Sequence, residues 1–265
     1  MYIIIENCSS PGAHFSKNTN KVLMLINEWI VENHYPRVAF IEFRRSLEHD
    51  KGINGNNARN IYPLLKNSGL VDYTPGEKLD TKTFFTKKGK AYLETLETIE
   101  LIKKSKYSKI QKEKAIKEVE DIKERIIYDC VKNLLKNHTL NYSESLRWYL
   151  TYLKEYGKVN KQEFAYMVYL MNTEDKENWK EKSKPVISAF RNKEIDINVE
   201  VKVRNDLKIK EKTGETTRLE GISFFTAYNF YSSLINQTGL TMKIKDYCYL
   251  KESVSGMLKN LLELE

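Results

Sequence analysis

Residues 54–90 read NGNNARNIYPLLKNSGLVDYTPGEKLDTKTFFTKKGK, and the fold of the whole chain turns on them. Polar residues able to read base edges open a short helix whose apolar side is Ile61, Leu64 and Leu65. Gly69 ends it, because a helix commonly stops on a residue in the left-handed region that glycine reaches without strain. Val71 and Tyr73 begin a strand, Pro75-Gly76 turns it, and Phe84-Phe85 returns it to a basic loop carrying Lys87, Lys88 and Lys90. Helix followed by basic hairpin is the layout of a winged helix-turn-helix, with the helix in the major groove and the hairpin near phosphate. A small α+β core with a solvated charged hairpin gives the same pattern, and this stretch alone does not choose between the two. Pro63 deep in a helix would cost about 3 kcal/mol or more. The regular helix is therefore expected to begin near Asn60 or Tyr62, with Asn56 to Arg59 as a polar lead-in.

Upstream, Met1-Tyr2-Ile3-Ile4-Ile5-Glu6 reads as a strand, reaching an acid too soon for a signal peptide. A polar loop with Pro11-Gly12 follows. Lys21 to Asn33 has Val22, Leu25, Ile26, Trp29 and Ile30 at helical spacing, and Pro36 breaks it. A second helix is expected over 37–49, burying Phe40, Ile41 and Leu47 and carrying Arg44 and Arg45. Downstream, 91–137 reads as a charged helical connector whose stripe includes Ile116, Ile122, Ile127 and Val131. The lysine run from Lys103 to Lys117 reads as a solvated face. Ser143 starts a further helix ending near Gly157, Asn160 caps Lys161 to Met171, and a charged insertion covers 172–221. Helix 223–238, a hairpin over 242–249 and a last helix complete the chain.

The second half repeats the first. Ala58-Arg59-Asn60-Ile61-Tyr62 through Ser68-Gly69-Leu70 compares with Ala227-Tyr228-Asn229-Phe230-Tyr231 through Thr238-Gly239-Leu240, with one inserted residue. Each copy is followed by a short lysine-bearing hairpin and a helix. A repeat is a structural signal first, but the repeated element here is the one that would read DNA. Composition agrees: 265 residues with a net charge of +8 and a pI near 9.1 make a polyanion the first partner to consider. The 41% hydrophobic content permits a core. Cys8, Cys130 and Cys248 form no metal spacing and no even disulfide set, which suits a reducing cytoplasm.

Taken in order, these segments resemble the DNA-recognition region of type IIS restriction and strand-nicking endonucleases of the AlwI and PleI kind. The matching stretches are the initial strand leading into Cys8-Ser9-Ser10-Pro11, the Arg59…Pro63…Gly69-Leu70 helix and Phe85-Thr86-Lys87-Lys88-Gly89-Lys90. Leu150…Leu153…Gly157…Val159…Lys161…Glu163, Phe190-Arg191-Asn192 and Thr238-Gly239-Leu240 follow in the same order. The resemblance implies two winged-helix subdomains ahead of a nuclease domain. The family tends to have arginine after the early Ser-Pro, where this chain has Gly12, so that phosphate contact is not carried over. The nuclease domain has no counterpart in these residues.

Catalysis would need a carboxylate on one strand and acid-x-lysine on another around Mg²⁺. Only Ile195 to Val203 tempts, with Asp196, Glu200 and Lys202 on one face of an alternating strand. Asp196 and Glu200 would stand roughly 13 Å apart, too far for one Mg²⁺ with ligands at about 2.1 Å. A second acid such as Asp175 or Asp206 would be required, and a half-buried hairpin with a solvated face is the expected structure. His14, His34, His49 and His138 show no metal or triad spacing.

The sequence thus predicts a mainly α protein with small β-hairpins (α+β), built as tandem winged helix-turn-helix domains joined by a helical connector. The expected divisions are 1–98, 99–140 and 141–265, with the insertion at about 172–221. Expected DNA contacts are Asn54, Asn56, Asn57, Arg59, Asn60, Tyr62 and Lys66 in the first reading helix, with Lys87, Lys88 and Lys90 beyond it. Arg191, Arg218, Tyr228, Asn229, Lys243 and Lys245 are the expected contacts in the second half. Double-stranded DNA is the expected partner, with cleavage coming from a nuclease subunit or domain, and Mg²⁺ entering only with that nuclease. No catalytic residue, metal site or other cofactor is expected within the chain. Two other classes fit part of the pattern: a plasmid replication initiator with two winged helices, and a compact Mg²⁺-dependent nuclease using Glu200 and Lys202.

Overall fold

The chain opens with β1 (Tyr2–Glu6), and Ser16 then starts α1 (Lys17–Glu32) by accepting the amide N–H of Thr19 on its hydroxyl. In the computed structural model, residues 1–6, 8–173, 176–202 and 222–263 are described. They form a mixed α+β protein, predominantly helical, with ten α-helices and seven short strands among the described residues. Contacts divide the chain into two units. The first is Pro11–Asn137 with Gln237–Gly239, and the second is Met1–Ser10 with His138–Asn236 and Leu240–Glu265. A linear division at 98/99 and 140/141 therefore does not match the packing. β1 belongs with the second half of the chain, and the expected connector belongs with the first.

In the first unit, α1 begins four residues earlier than its apolar stripe suggested, because the cap at Ser16 precedes the first core residue, Thr19. Arg37–Ala39 is a strand, β2, and α2 (Phe40–Lys51) starts only after it. α3 (Gly55–Asn67) runs straight through Pro63, five residues before the start expected at Asn60. Pro63 is exposed, so the Arg59 carbonyl that it leaves without an intrahelical donor is on the solvent side. Beyond α3 the chain turns at Thr74–Glu77, where the Glu77 N–H donates to the Thr74 carbonyl at 3.2 Å. It returns as β3 (Lys78–Asp80), which pairs antiparallel with β2, Arg37 opposite Asp80.

Residues 86–90 are not a loop. Phe84 and Phe85 are buried, Phe85 bridges Val71, and Thr86 caps α4 (Lys87–Lys104) by accepting the Gly89 N–H at 3.0 Å. Gly89 is pressed against α3's exit: a Cβ there would stand 1.9 Å from the Leu70 carbonyl oxygen. α4 packs on α5 (Lys109–Lys136), which Ser108 and Gln111 start with a capping box. The expected stripe is buried from Ile127 onward, while Ile122 is exposed.

The second unit runs α6 (Ser143–Tyr156), β4 (Lys158–Val159), α7 (Lys161–Met171), a 3₁₀ turn at Lys176–Asn178, and α8 (Trp179–Arg191). Next come β5 (Asn198–Lys202), α9 (Ile222–Asn236), β6 (Thr241–Ile244), β7 (Tyr247–Leu250) and α10 (Ser255–Leu262). Ser143 does not cap α6; its hydroxyl donates to the Leu140 carbonyl inside the helix start. Asn160 does cap α7, reciprocally with Glu163. Among the described residues β5 has no antiparallel partner, and residues 203–221, where the expected hairpin would continue, lie outside them. β5 pairs in parallel with β1, Ile4 opposite Glu200, and the Met1 ammonium donates to the Asp196 carbonyl at 2.6 Å. Ile3 and Ile5 of β1 are buried.

Setting aside α8 and β5, both units have the order helix, short strand, helix, helix and then a strand that pairs back to the short one. In each the short strand pairs with a strand that follows the last of these helices: β2 with β3, and β4 with β7. β6 and β7 form a hairpin in the second unit, whereas in the first Val71 meets Phe85 in a single bridge. The sequence repeat falls on equivalent places, with Ala58 and Ala227, Tyr62 and Tyr231, and Leu70 and Leu240 all buried. Gly69 and Gly239 end the two helices at φ +78° and +75°. Gly89→Ala is expected to destabilise the protein by about 3 kcal/mol, since its methyl overlaps backbone rather than a yielding side chain. A urea midpoint within error of the wild type would contradict the close approach.

Candidate nucleic-acid interface

The buried side of α3 carries Ala58, Ile61, Tyr62, Leu64 and Leu65, so Arg59 and Asn60 point outward. Arg59 has no hydrogen-bond or ion-pair partner among the described residues. The Asn60 side chain lies beside Gly12, whose added Cβ would be 3.2 Å from Asn60 Cγ, so the early Ser-Pro-Gly loop borders this face. Asn54 is exposed just ahead of α3, and Asn56 and Asn57 lie in its first turn, their side chains outside the described set.

Tyr62 does not share that face. It is buried, the Arg44 guanidinium lies 6.0 Å from its ring centre, and burial pushes its phenol up while the Arg44 charge opposes the shift. Lys66 is half-buried, its ammonium 4.9 Å over the Tyr73 ring, which stacks on Phe40 at 4.2 Å. Lys87 and Lys90 are exposed on the first turn of α4 rather than in the hairpin. Lys88 donates to the Asp129 carbonyl at 3.4 Å, near the C-terminal end of α3. The exposed cations of this returning segment and its partner strand are Lys78, Lys82 and Arg37. Sequence reasoning passed over all three as contacts, although Pro75-Gly76 marked where the chain turns.

The second unit repeats this arrangement with less polar surface. Asn229 is exposed, but Tyr228 is buried and its hydroxyl donates to the Val159 carbonyl at 3.1 Å, tying α9 to β4. The outward side of α9 is instead the stripe Asn229, Ser233 and Asn236, spaced one helical turn apart; the last two were missed. Lys243 on β6 and Lys245 at the β6–β7 turn are both exposed. Lys245 has φ +53°, an uncommon backbone state for a residue with a side chain. Arg218 lies outside the described residues.

Arg191 is committed elsewhere. Its Nε donates to Glu163 Oε1 at 2.6 Å, and one terminal nitrogen donates to Glu163 Oε2 at 3.3 Å and to the Lys158 carbonyl at 3.0 Å. Glu163 is fully buried and also accepts the Asn160 N–H of its own capping box. Burial pulls the Arg191 guanidinium down, but the hydrogen bonds and charge of Glu163 outweigh it, and the net shift is upward. Burial, and then the Glu163 charge, push the Tyr152 phenol up beside them. This arginine closes the core of the second unit.

On the tempting strand, Asp196, Asn198 and Glu200 form an exposed row, while Asp175 and Asp206 lie outside the described residues. No group of three His, Cys, Asp or Glu side chains placed to hold a metal occurs among the described residues. No described helix is long and apolar enough to cross a membrane. Comparison with family models, curated proteins and solved structures finds no match to this chain. Arg191→Ala is expected to cost about 3–5 kcal/mol of stability, because it leaves the Glu163 carboxylate buried without its partner. A chemical-denaturation curve that moves by under about 1 kcal/mol would give the pair the worth of an exposed ion pair instead.

Proposed function

We propose that this chain is a sequence-specific double-stranded DNA-binding protein made of two winged helix-turn-helix domains. We read it as the recognition part of a type IIS-like restriction or nicking system, with cleavage supplied by a partner or by a domain outside these residues. One observation carries the reading: the same order of helix, strand, helix, helix and a strand pairing back to the first strand is built twice. In both copies the third helix buries its apolar side and turns a polar side outward. That is the arrangement in which a helix enters the major groove and a hairpin approaches the backbone.

The details support a division of labour. Arg59 and Asn60 are the side chain types that make bidentate contacts to guanine O6 and N7 and to adenine N6 and N7. Asn229, Ser233 and Asn236 offer the second unit a narrower reading edge without charge. Lys78, Arg37, Lys243 and Lys245 suit phosphate, which fixes register without reading sequence. Lys87 and Lys90, at the start of α4, suit a flanking phosphate. Gly12, where the family tends to have arginine, borders Asn60, so a position that the resemblance associates with DNA adjoins the proposed reading helix.

Arg59→Ala tests the reading, because Arg59 is exposed and supports nothing in the core. On the preferred duplex it should cost about 1–3 kcal/mol and relax choice at one base pair, with melting temperature unchanged. Wild-type affinity and selectivity in that variant, measured by competition titration, would remove α3 from the role of reader.

A further inference from the structure

On the first unit, α1, α4 and α5 enclose a groove of about 610 Å³ lined by none of the residues assigned to DNA. Its floor is apolar: Met24 and Leu25 from α1, and Leu96 and Ile99 from α4. It follows α1 from Lys17 to Glu28, roughly 16 Å at 1.5 Å per residue, the length of a three-turn helix. Its charges are unbalanced. Each of the three lining acids already has a lysine: Glu28 pairs with Lys51, Glu100 with Lys103 and Glu120 with Lys123. Lys17 and Lys21 also line the groove, are exposed, and have no acidic partner among the described residues, while exposed Lys104 shares the charge of Glu100 with Lys103, so the lining lysines outnumber the acids. Lys17 and Lys21 stand one turn apart in a helix whose first turn has no acid, an arrangement that costs the isolated helix stability.

We propose that this groove is a docking site for an acidic amphipathic helix of a protein partner. An apolar stripe on that helix would cover Met24, Leu25, Leu96 and Ile99. Its flanking carboxylates would meet Lys17, Lys21 and Lys104. This is helix-in-groove recognition, with apolar anchors giving affinity and the charged flanks giving selection. The inference stands independently of the DNA reading, since none of these residues belongs to α3, α9 or the strands that follow them.

The test uses the full chain and two fluorescein-labelled helical peptides sharing one leucine stripe, flanked by glutamate in one and by lysine in the other. Fluorescence anisotropy should show binding of the glutamate peptide alone, weakening as salt rises. The double variant Lys17→Glu/Lys104→Glu should lose about tenfold or more of that affinity and gain affinity for the lysine peptide. Both positions are exposed, and circular dichroism checks that the variant keeps its fold. Methyl resonances of Met24 should shift on titration. No binding of the glutamate peptide at millimolar concentration, equal binding of both peptides, or an unaltered affinity in the double variant would each overturn the proposal. Duplex binding measured on the same samples keeps this outcome separate from that of the DNA reading.

Discussion

What α3 buries decides what it shows. Ala58, Ile61, Leu64 and Leu65 are sunk in the first unit's core at three- and four-residue spacing, so Arg59 and Asn60 are turned to the exposed side, Asn60 beside Gly12. The helix is held there from both ends of its exit. Gly69 turns the chain, Asn133 on α5 donates to the Ser68 carbonyl at 2.9 Å, and Gly89 lets α4 close against Leu70. A polar side chain on a helix fixed in this way is pre-organised, and ordering it on a ligand costs less than ordering one on a loop. In α9 the same constraint goes further. Over 227–236, six of the ten side chains are buried, and Asn229 and Asn236 are the exposed ones.

Arginine illustrates how environment, rather than residue type, assigns a role. Arg59 is exposed and unpaired among the described residues. Arg44 lies over Tyr62 at the meeting of α2 and α3. Arg191 closes on a fully buried carboxylate and takes part in the core of the second unit. Only the first is available to a ligand at no structural cost. On the proposed DNA reading, the surplus of positive charge over the whole chain, +8, would act as a long-range attraction that salt weakens, without bearing on which sequence is bound.

Much of the organisation was legible in the sequence. The helical stripes, the Asn160 cap, the Gly69 and Gly239 helix ends and the repeat between the two halves all correspond to local patterns that the structure also has. What failed was non-local or a matter of competing local signals. Lysines at 87, 88 and 90 hid the start of α4, because cations oppose the positive end of a helix dipole and the cap at Thr86 was the only counter-signal. Pro63 hid the first turns of α3, since its penalty depends on which side of the helix it occupies. The parallel pairing of β1 with β5 joins residues far apart in the chain, and no local pattern announces it. Arg191 looked like a phosphate ligand because its partner Glu163 lies 28 residues away and reads as a helix cap. Tyr62 and Tyr228 carry a polar atom on a large apolar ring, and the ring decided their place.

The most direct measurement of the central claim is selection of binding sites by the intact chain from random duplex DNA, sequenced over successive rounds. Recognition by a fixed helix predicts convergence on one motif, bound about 10³-fold or more tighter than unrelated duplex. A pool that stays random while binding remains strong and salt-sensitive would contradict it, leaving a basic protein that holds DNA by its backbone alone.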